Sequence, residues 1–212
     1  MDFSFNEEQQ MLLDTTRRFI AERYGFEHRN TVLASQDGWS REVWTQLGEL
    51  GLLAINIPEE EGGIGAGPLG TMLVGNAVGE GLLVEPFLSS AVVATQAIVQ
   101  LGSRAQREAW LPALASGELI AVLAHDEVSG GVDVLAINTQ AVAVGDGWEI
   151  TGRKSIVYHA PASQLILVSA KVGEGIGLFA VATDAAGVQL QPCTTVDGQR
   201  AADVLLDKVH AP

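Results

Sequence analysis

Four histidines, one cysteine and a surplus of carboxylates are the side chains in this sequence best suited to chemistry. His28, His125, His159 and His210 lie far apart, and Cys193 is the only cysteine. Metal centres draw on closely spaced Cys and His pairs, so this spacing argues against one. A single cysteine also excludes an internal disulfide. No Gly-x-Ser-x-Gly turn is present to expose a nucleophilic serine. Gly62 to Gly70, GGIGAGPLG, has the look of a phosphate loop, but it lies between helical stretches and follows no strand. A connecting loop is the better reading. Glu59, Glu60 and Glu61 beside it read as a solvated charge run.

Two other segments have the right setting for a site. His125-Asp126-Glu127 follows a short apolar run and leads into Ser129-Gly130-Gly131. A strand that opens into a glycine loop is a common ligand position, because glycine lets a ligand approach the backbone closely. Lys154 to Pro161, KSIVYHAP, begins as a strand and stops at a proline. Tyr158 and His159 there either face a ligand or sit half-buried in a sheet.

The elements that must position these residues change character along the chain. Up to about residue 118 the apolar spacing is helical. Leu12, Thr16, Phe19 and Ile20 form one stripe. Ser40 is placed to cap a helix carrying Val43, Trp44, Leu47 and Leu50, and Gly51 to end it. Helical patterns resume over Thr71 to Leu83 and Ser89 to Leu101. Ser103 and Gln106 then form a capping-box pair ahead of Trp110, Leu111 and Leu114, with Pro112 expected to kink that helix or confine its regular part. From Leu119 the pattern shortens to strands. These are Leu119 to Ala124, Ile137 to Val144, Trp148 to Thr151, Leu165 to Ser169, Gly177 to Ala182 and Val204 to Val209. Gly145-Asp146-Gly147 is hairpin turn chemistry. Helices followed by strands predict an α+β chain with a helical domain over 1–118 and a β domain over 119–212.

The composition narrows the function classes. The chain has 212 residues, 47% of them hydrophobic, and a net charge of -14. Residues 1–118 hold 16 acidic and 7 basic residues, and residues 119–212 hold 10 and 5, so no acidic tail accounts for the charge. That balance opposes binding to nucleic acid or to an anionic membrane surface. The N-terminus MDFSFNEEQQ has neither secretory nor transit character. Pro86 to Ser103 is nearly uncharged, but Ser, Thr and Gln interrupt it, so it reads as a buried helix and not a membrane span. A cytoplasmic protein is expected.

The order of motifs resembles the acyl-CoA dehydrogenase family along the whole chain. FNEEQQMLLDTTRRFIAE (Phe5 to Glu22) is similar to its opening helix, and WTQLGELGLLAINIPEEEGGIG (Trp44 to Gly65) to its helix running into a Pro-Glu-Glu-x-Gly-Gly loop. LGSRAQREAWLPALASGELIAVLA (Leu101 to Ala124) and WEITGRKSIV (Trp148 to Val157) match its entry to the middle domain and its flavin-side strand. The resemblance implies an N-terminal helical domain and a middle antiparallel β domain. The family's C-terminal helical bundle is absent from this sequence. It implies FAD held non-covalently, an acyl-CoA substrate, an electron-accepting flavoprotein as partner, and an oligomer. The reaction implied is oxidation of the Cα–Cβ bond: a carboxylate takes the α-proton while the β-hydrogen leaves as hydride to the flavin.

By the same resemblance, the flavin side falls on His125, Ser129, Gly130 and Gly131, and on Ile156, Val157, Tyr158 and His159. The family's loop usually reads Thr-Glu-Pro-x-x-Gly-Ser-Asp. The aligned run here is His125-Asp126-Glu127-Val128-Ser129-Gly130-Gly131-Val132. His125 and Gly131 replace the two hydroxyl residues, and Ser129 is placed to substitute. Ile156-Val157-Tyr158-His159 stands where Trp-Ile-Thr-Asn is usual. Asn76 lies in a helix where Glu-Glu-Leu-Gly is common. The usual catalytic glutamate belongs to the bundle, so no catalytic base is assigned. This pattern resembles the divergent subunits of heteromeric acyl-CoA dehydrogenases, which tend to act on bulky thioesters such as those of dicarboxyl or sterol side-chain acids. Two alternatives stand beside a dehydrogenase subunit. One is a non-catalytic structural partner in such a heteromer, and the other is a flavin monooxygenase on the same fold.

Overall fold

An asparagine opens the first helix. In the computed structural model, which describes residues 4–131 and 133–212, Asn6 accepts from the Gln9 N–H while the Gln9 side chain bonds back to the Asn6 N–H. Val132, the last residue of the run aligned above, lies outside the described residues. The chain forms two compact units, Met1–Glu118 and Leu119–Pro212.

The first unit is helical: α1 (Glu7–Arg23), α2 (Phe26–Ala34), α3 (Arg41–Glu49), α4 (Gly67–Glu80), α5 (Thr95–Leu101) and α6 (Arg104–Ser116). Leu13, Thr16, Phe19 and Ile20 are the buried face of α1. Ser40 caps α3 through the Val43 N–H, and Gly51 follows its end in the left-handed conformation. Ser103 and Gln106 close the capping box of α6. Pro112 lies inside α6. Two features depart from the sequence pattern. Helix α2 has no apolar stripe and buries only Val32. The segment read as one helix from Ser89 begins as a π-helix, Phe87–Ala94, in which the Thr95 hydroxyl donates to the Ser90 carbonyl.

The glycine loop after α3 is closed on itself. Gly63, Ile64, Gly65 and Ala66 donate their N–H groups to the carbonyls of Pro58, Ala54, Ile57 and Ile55. A Cβ on Gly63 would lie 1.9 Å from the Ile57 oxygen. These amides are spent internally, so the glycines serve close backbone packing. The neighbouring Glu61, read above as solvated, pairs with Arg107 of α6 at 3.2 Å.

The second unit is one curled seven-stranded sheet. Its strands are β1 (Ala121–Ala124), β2 (Gln140–Val144), β3 (Gly147–Tyr158), β4 (Leu165–Val172), β5 (Gly175–Ala182), β6 (Val188–Thr194) and β7 (Arg200–Ala211). Most pairings are antiparallel, but β1 and β2 both run parallel to β4, so the sheet is mixed. Ala121 to Ala124 pair with Leu165 to Val168, and Gln140 pairs with Lys171 further along the same strand. On their other side, β2 pairs with the first half of β3, and the chain just after β1 reaches its second half through the Ser155 N–H and the Asp126 carbonyl. β1 and β2 therefore occupy one strand position in two pieces. Residues 125–139 leave the sheet between them.

Candidate functional site

The base of that excursion is built on one buried ion pair. Lys154 of β3 is fully buried and Glu127 nearly so, with side-chain exposures of 0% and 6%. The ammonium spends all three of its donors, on the Glu127 carboxylate at 2.8 Å, the His125 carbonyl at 3.0 Å and the Ser169 hydroxyl at 3.0 Å. Glu127 also accepts from the Thr139 N–H at 3.0 Å, the Thr139 hydroxyl at 2.7 Å and the Asn138 N–H at 2.7 Å. Both ends of the excursion and two strands, β3 and β4, thus meet at one ion pair. Burial pushes the Glu127 carboxyl up, but Lys154 and the donors of Thr139 and Asn138 outweigh it and bring it down to about 2. Burial also lowers Lys154, against the pull of Glu127. A carboxylate held this low is a poor proton acceptor near neutral pH, which makes Glu127 an anchor and not a base.

Above the anchor, the excursion is shaped by short local bonds. Gly130 N–H donates to the Glu127 carbonyl and Asp133 N–H to the Gly130 carbonyl, forming successive turns. Gly131 has a φ of 55° and nothing within 4 Å of where a Cβ would stand, so it supplies the left-handed turn and an open approach. The Ser129 hydroxyl accepts from the Asn138 amide. The His125 ring donates to the Val134 carbonyl at 2.9 Å, tying the start of the excursion to its far side.

The second segment lies directly against the first. Lys154 and Ser155 of β3 bond to the carbonyls of His125 and Asp126. Beyond them Ile156 is 54% exposed, Val157 is buried and Tyr158 is 43% exposed. The sequence grouped Ile156 to His159 as one flavin-side run, and the structure places them differently. Ile156 and Tyr158 present their side chains outward, and Val157 points into the core. His159 is buried at 3% exposure in the left-handed conformation, where its N–H donates to the Arg200 carbonyl. The Ser155 hydroxyl is buried with no hydrogen-bond partner.

Sequence reasoning passed over the residues that hold these segments together. Lys154 was read only as the start of a strand, Glu127 as part of a candidate ligand loop with no anchoring role, and Thr139 and Ser169 only as positions in expected strands. The available signal was a lysine inside a strand with apolar neighbours at Ile150 and Val157, which requires a buried counter-charge.

Residues 6–118 match the acyl-CoA dehydrogenase N-terminal domain and residues 123–209 the acyl-CoA dehydrogenase middle domain. The chain belongs to the acyl-CoA dehydrogenase family. Acyl-CoA dehydrogenase FadE12 of Mycobacterium tuberculosis is 34% identical over 227 residues, covering 100% of this chain and 57% of the relative. Among solved acyl-CoA dehydrogenase structures, a variant of the Tcur3481-Tcur3483 steroid ACAD is 30% identical with a TM-score of 0.90, covering 97% of this chain and 56% of its own. The ChsE4-ChsE5 complex from Mycobacterium tuberculosis is 28% identical with a TM-score of 0.91, covering 99% and 56%. An acyl-CoA dehydrogenase from Bacillus anthracis, solved in complex with FAD, is 26% identical with a TM-score of 0.84, covering 99% and 37%. The chain spans little more than half the length of FadE12. No helix among the described residues is long and apolar enough to cross a membrane.

Proposed function

We propose that this chain is the helical and β portion of an FAD-dependent acyl-CoA dehydrogenase subunit, acting in the α,β-dehydrogenation of a CoA thioester. The observation that carries this reading is the convergence of the 125–131 excursion on Ser155 to Tyr158 of β3, within a family member. These residues fit the ring portion of FAD. Ile156 and Tyr158 offer an apolar, partly aromatic outward face, and Gly131 leaves the backbone approachable. The Ser155 hydroxyl, buried without a partner, is a donor a ring carbonyl would satisfy. The cofactor supplies a two-electron acceptor for the hydrogen leaving the β-carbon. The chain's own part is to hold that face rigid through the Glu127–Lys154 anchor. Arg153 is paired with Asp203 and Lys154 is consumed by Glu127. Neither of these two cations is left unpaired for the diphosphates of FAD and CoA. The base that takes the α-proton is proposed to come from outside this segment.

The altered residues at His125, Gly131, Ile156 and Tyr158 favour a second reading, a non-catalytic wall of a heteromer. The similarity to the ChsE4-ChsE5 complex supports a partner subunit, and that to the steroid ACAD supports a bulky thioester. Purification with the neighbouring gene product, followed by a flavin spectrum and a mass, tests both. A flavin-bearing hetero-oligomer forming 2-enoyl-CoA supports the proposal. A complex with no bound FAD under saturating flavin sinks the cofactor assignment, and a hydroxylated product points to a monooxygenase.

A further inference from the structure

The outward face of β3 depends on an irregularity in its ladder. From Lys154 to Val157 β3 advances three residues, while its partner β7 retreats two, from Val204 to Ala202. One extra residue is therefore housed on β3. Such a bulge reverses the in-and-out alternation beyond it. Lys154 points inward, so an unbroken strand would turn Val157 outward and Tyr158 inward. The bulge does the opposite: Val157 is buried and Tyr158 is exposed.

The bulge carries a conformational cost. Ile156 has a φ of 50°. A β-branched residue in this region is a true outlier, since the left-handed conformation there suits glycine. Such strain persists where surrounding bonds impose it. Here the Ile156 N–H, taken out of the ladder, donates to Asp203 Oδ1 at 2.9 Å. Asp203 is in turn held at Oδ2 by Arg153 Nη2 at 2.6 Å. Arg153 precedes the bulge and Asp203 sits across from it on β7, so the pair brackets the extra residue.

We propose that Asp203 is a positioning residue: its carboxylate holds Ile156 in the bulge, and so sets Ile156 and Tyr158 toward the flavin ring. The proposal rests on the flavin reading above. Nothing in it requires Asp203 to touch cofactor or substrate.

The test uses the chain together with its co-purified partner and two readouts. Without added flavin, hydrogen exchange is followed over residues 153–160. With FAD added, the dissociation constant and the visible circular dichroism of the bound flavin are measured. Asp203→Ala is expected to deprotect Ile156, to weaken FAD binding roughly tenfold, the scale of one lost hydrogen bond, and to change the flavin dichroism. Asp203→Asn keeps an acceptor for the Ile156 N–H and should retain most of both. Ile156→Gly removes the strain, so the loss caused by Asp203→Ala should shrink in that background. Unchanged protection and FAD affinity in Asp203→Ala overturn the proposal. So does a loss of equal size in the Ile156→Gly background, which would mark an ordinary fold contact. A wild-type complex that binds no FAD, while Asp203→Ala still deprotects Ile156, overturns the flavin reading and reduces Asp203 to a fold residue.

Discussion

The Lys154 ammonium gives up its hydration for three protein acceptors, so its removal strands Glu127 in the sheet. Lys154→Met is expected to cost about 3–5 kcal/mol in urea unfolding. The double change Lys154→Met with Glu127→Gln should recover part of that loss, since no charge is then left buried. The pair also sets an acid limit. The folded pKa of Glu127, about 2, lies below its ordinary value of 4.5. Its contribution is therefore fully present above about pH 4.5 and is lost as pH falls toward 2. Stability measured across that window should drop in the native chain and be flatter in Glu127→Gln. Lys154 shifts in the unfavourable sense, and that penalty is relieved only at alkaline pH, outside the window. At this scale the sequence was least informative. Glu127 and Lys154 are 27 positions apart, and Ser169 lies 15 beyond Lys154. No local pattern joins residues that only a closed sheet brings together. The left-handed Ile156 was equally hidden, because glycine is the residue that signals such a turn and none stands there.

Among the elements, those with local causes were legible. The capping box of α6 needs only Ser103 and Gln106, three positions apart. Ser103→Ala should therefore cost about 1 kcal/mol, read from a shift in the denaturation midpoint. The β2–β3 hairpin follows from Gly145 and Asp146 for the same reason, with Val144 pairing directly with Gly147. Helix α2 escaped detection because it buries little, and β6 because it is an edge strand, largely exposed and containing Pro192. β3 carries a more demanding requirement at Gly152. A Cβ there would lie 2.4 Å from the Thr139 hydroxyl oxygen. Gly152→Ala is expected to push Thr139 off Glu127, lower the melting temperature and weaken flavin uptake. Calorimetry and a flavin titration on the same sample would check both effects.

Across the whole molecule, charge and family were readable from the start, because both are spread over every segment. The resemblance rested on four stretches in order, and the matched domains cover residues 6–118 and 123–209. The pI of about 4.5 falls at the upper edge of the Glu127 window. Net charge is therefore lost while the anchor is still intact, and the anchor follows only at lower pH. Turbidity should peak near pH 4.5 and clear again at higher pH. The split strand position has a separate consequence for evolution and engineering. β1 and β2 each pair with β4, and the closure at Glu127, Thr139 and Lys154 sits at the neck of the excursion. Segments of other lengths and sequences should be exchangeable there as cassettes, provided those three residues are kept. The sheet would then serve as a constant frame on which recognition diversifies.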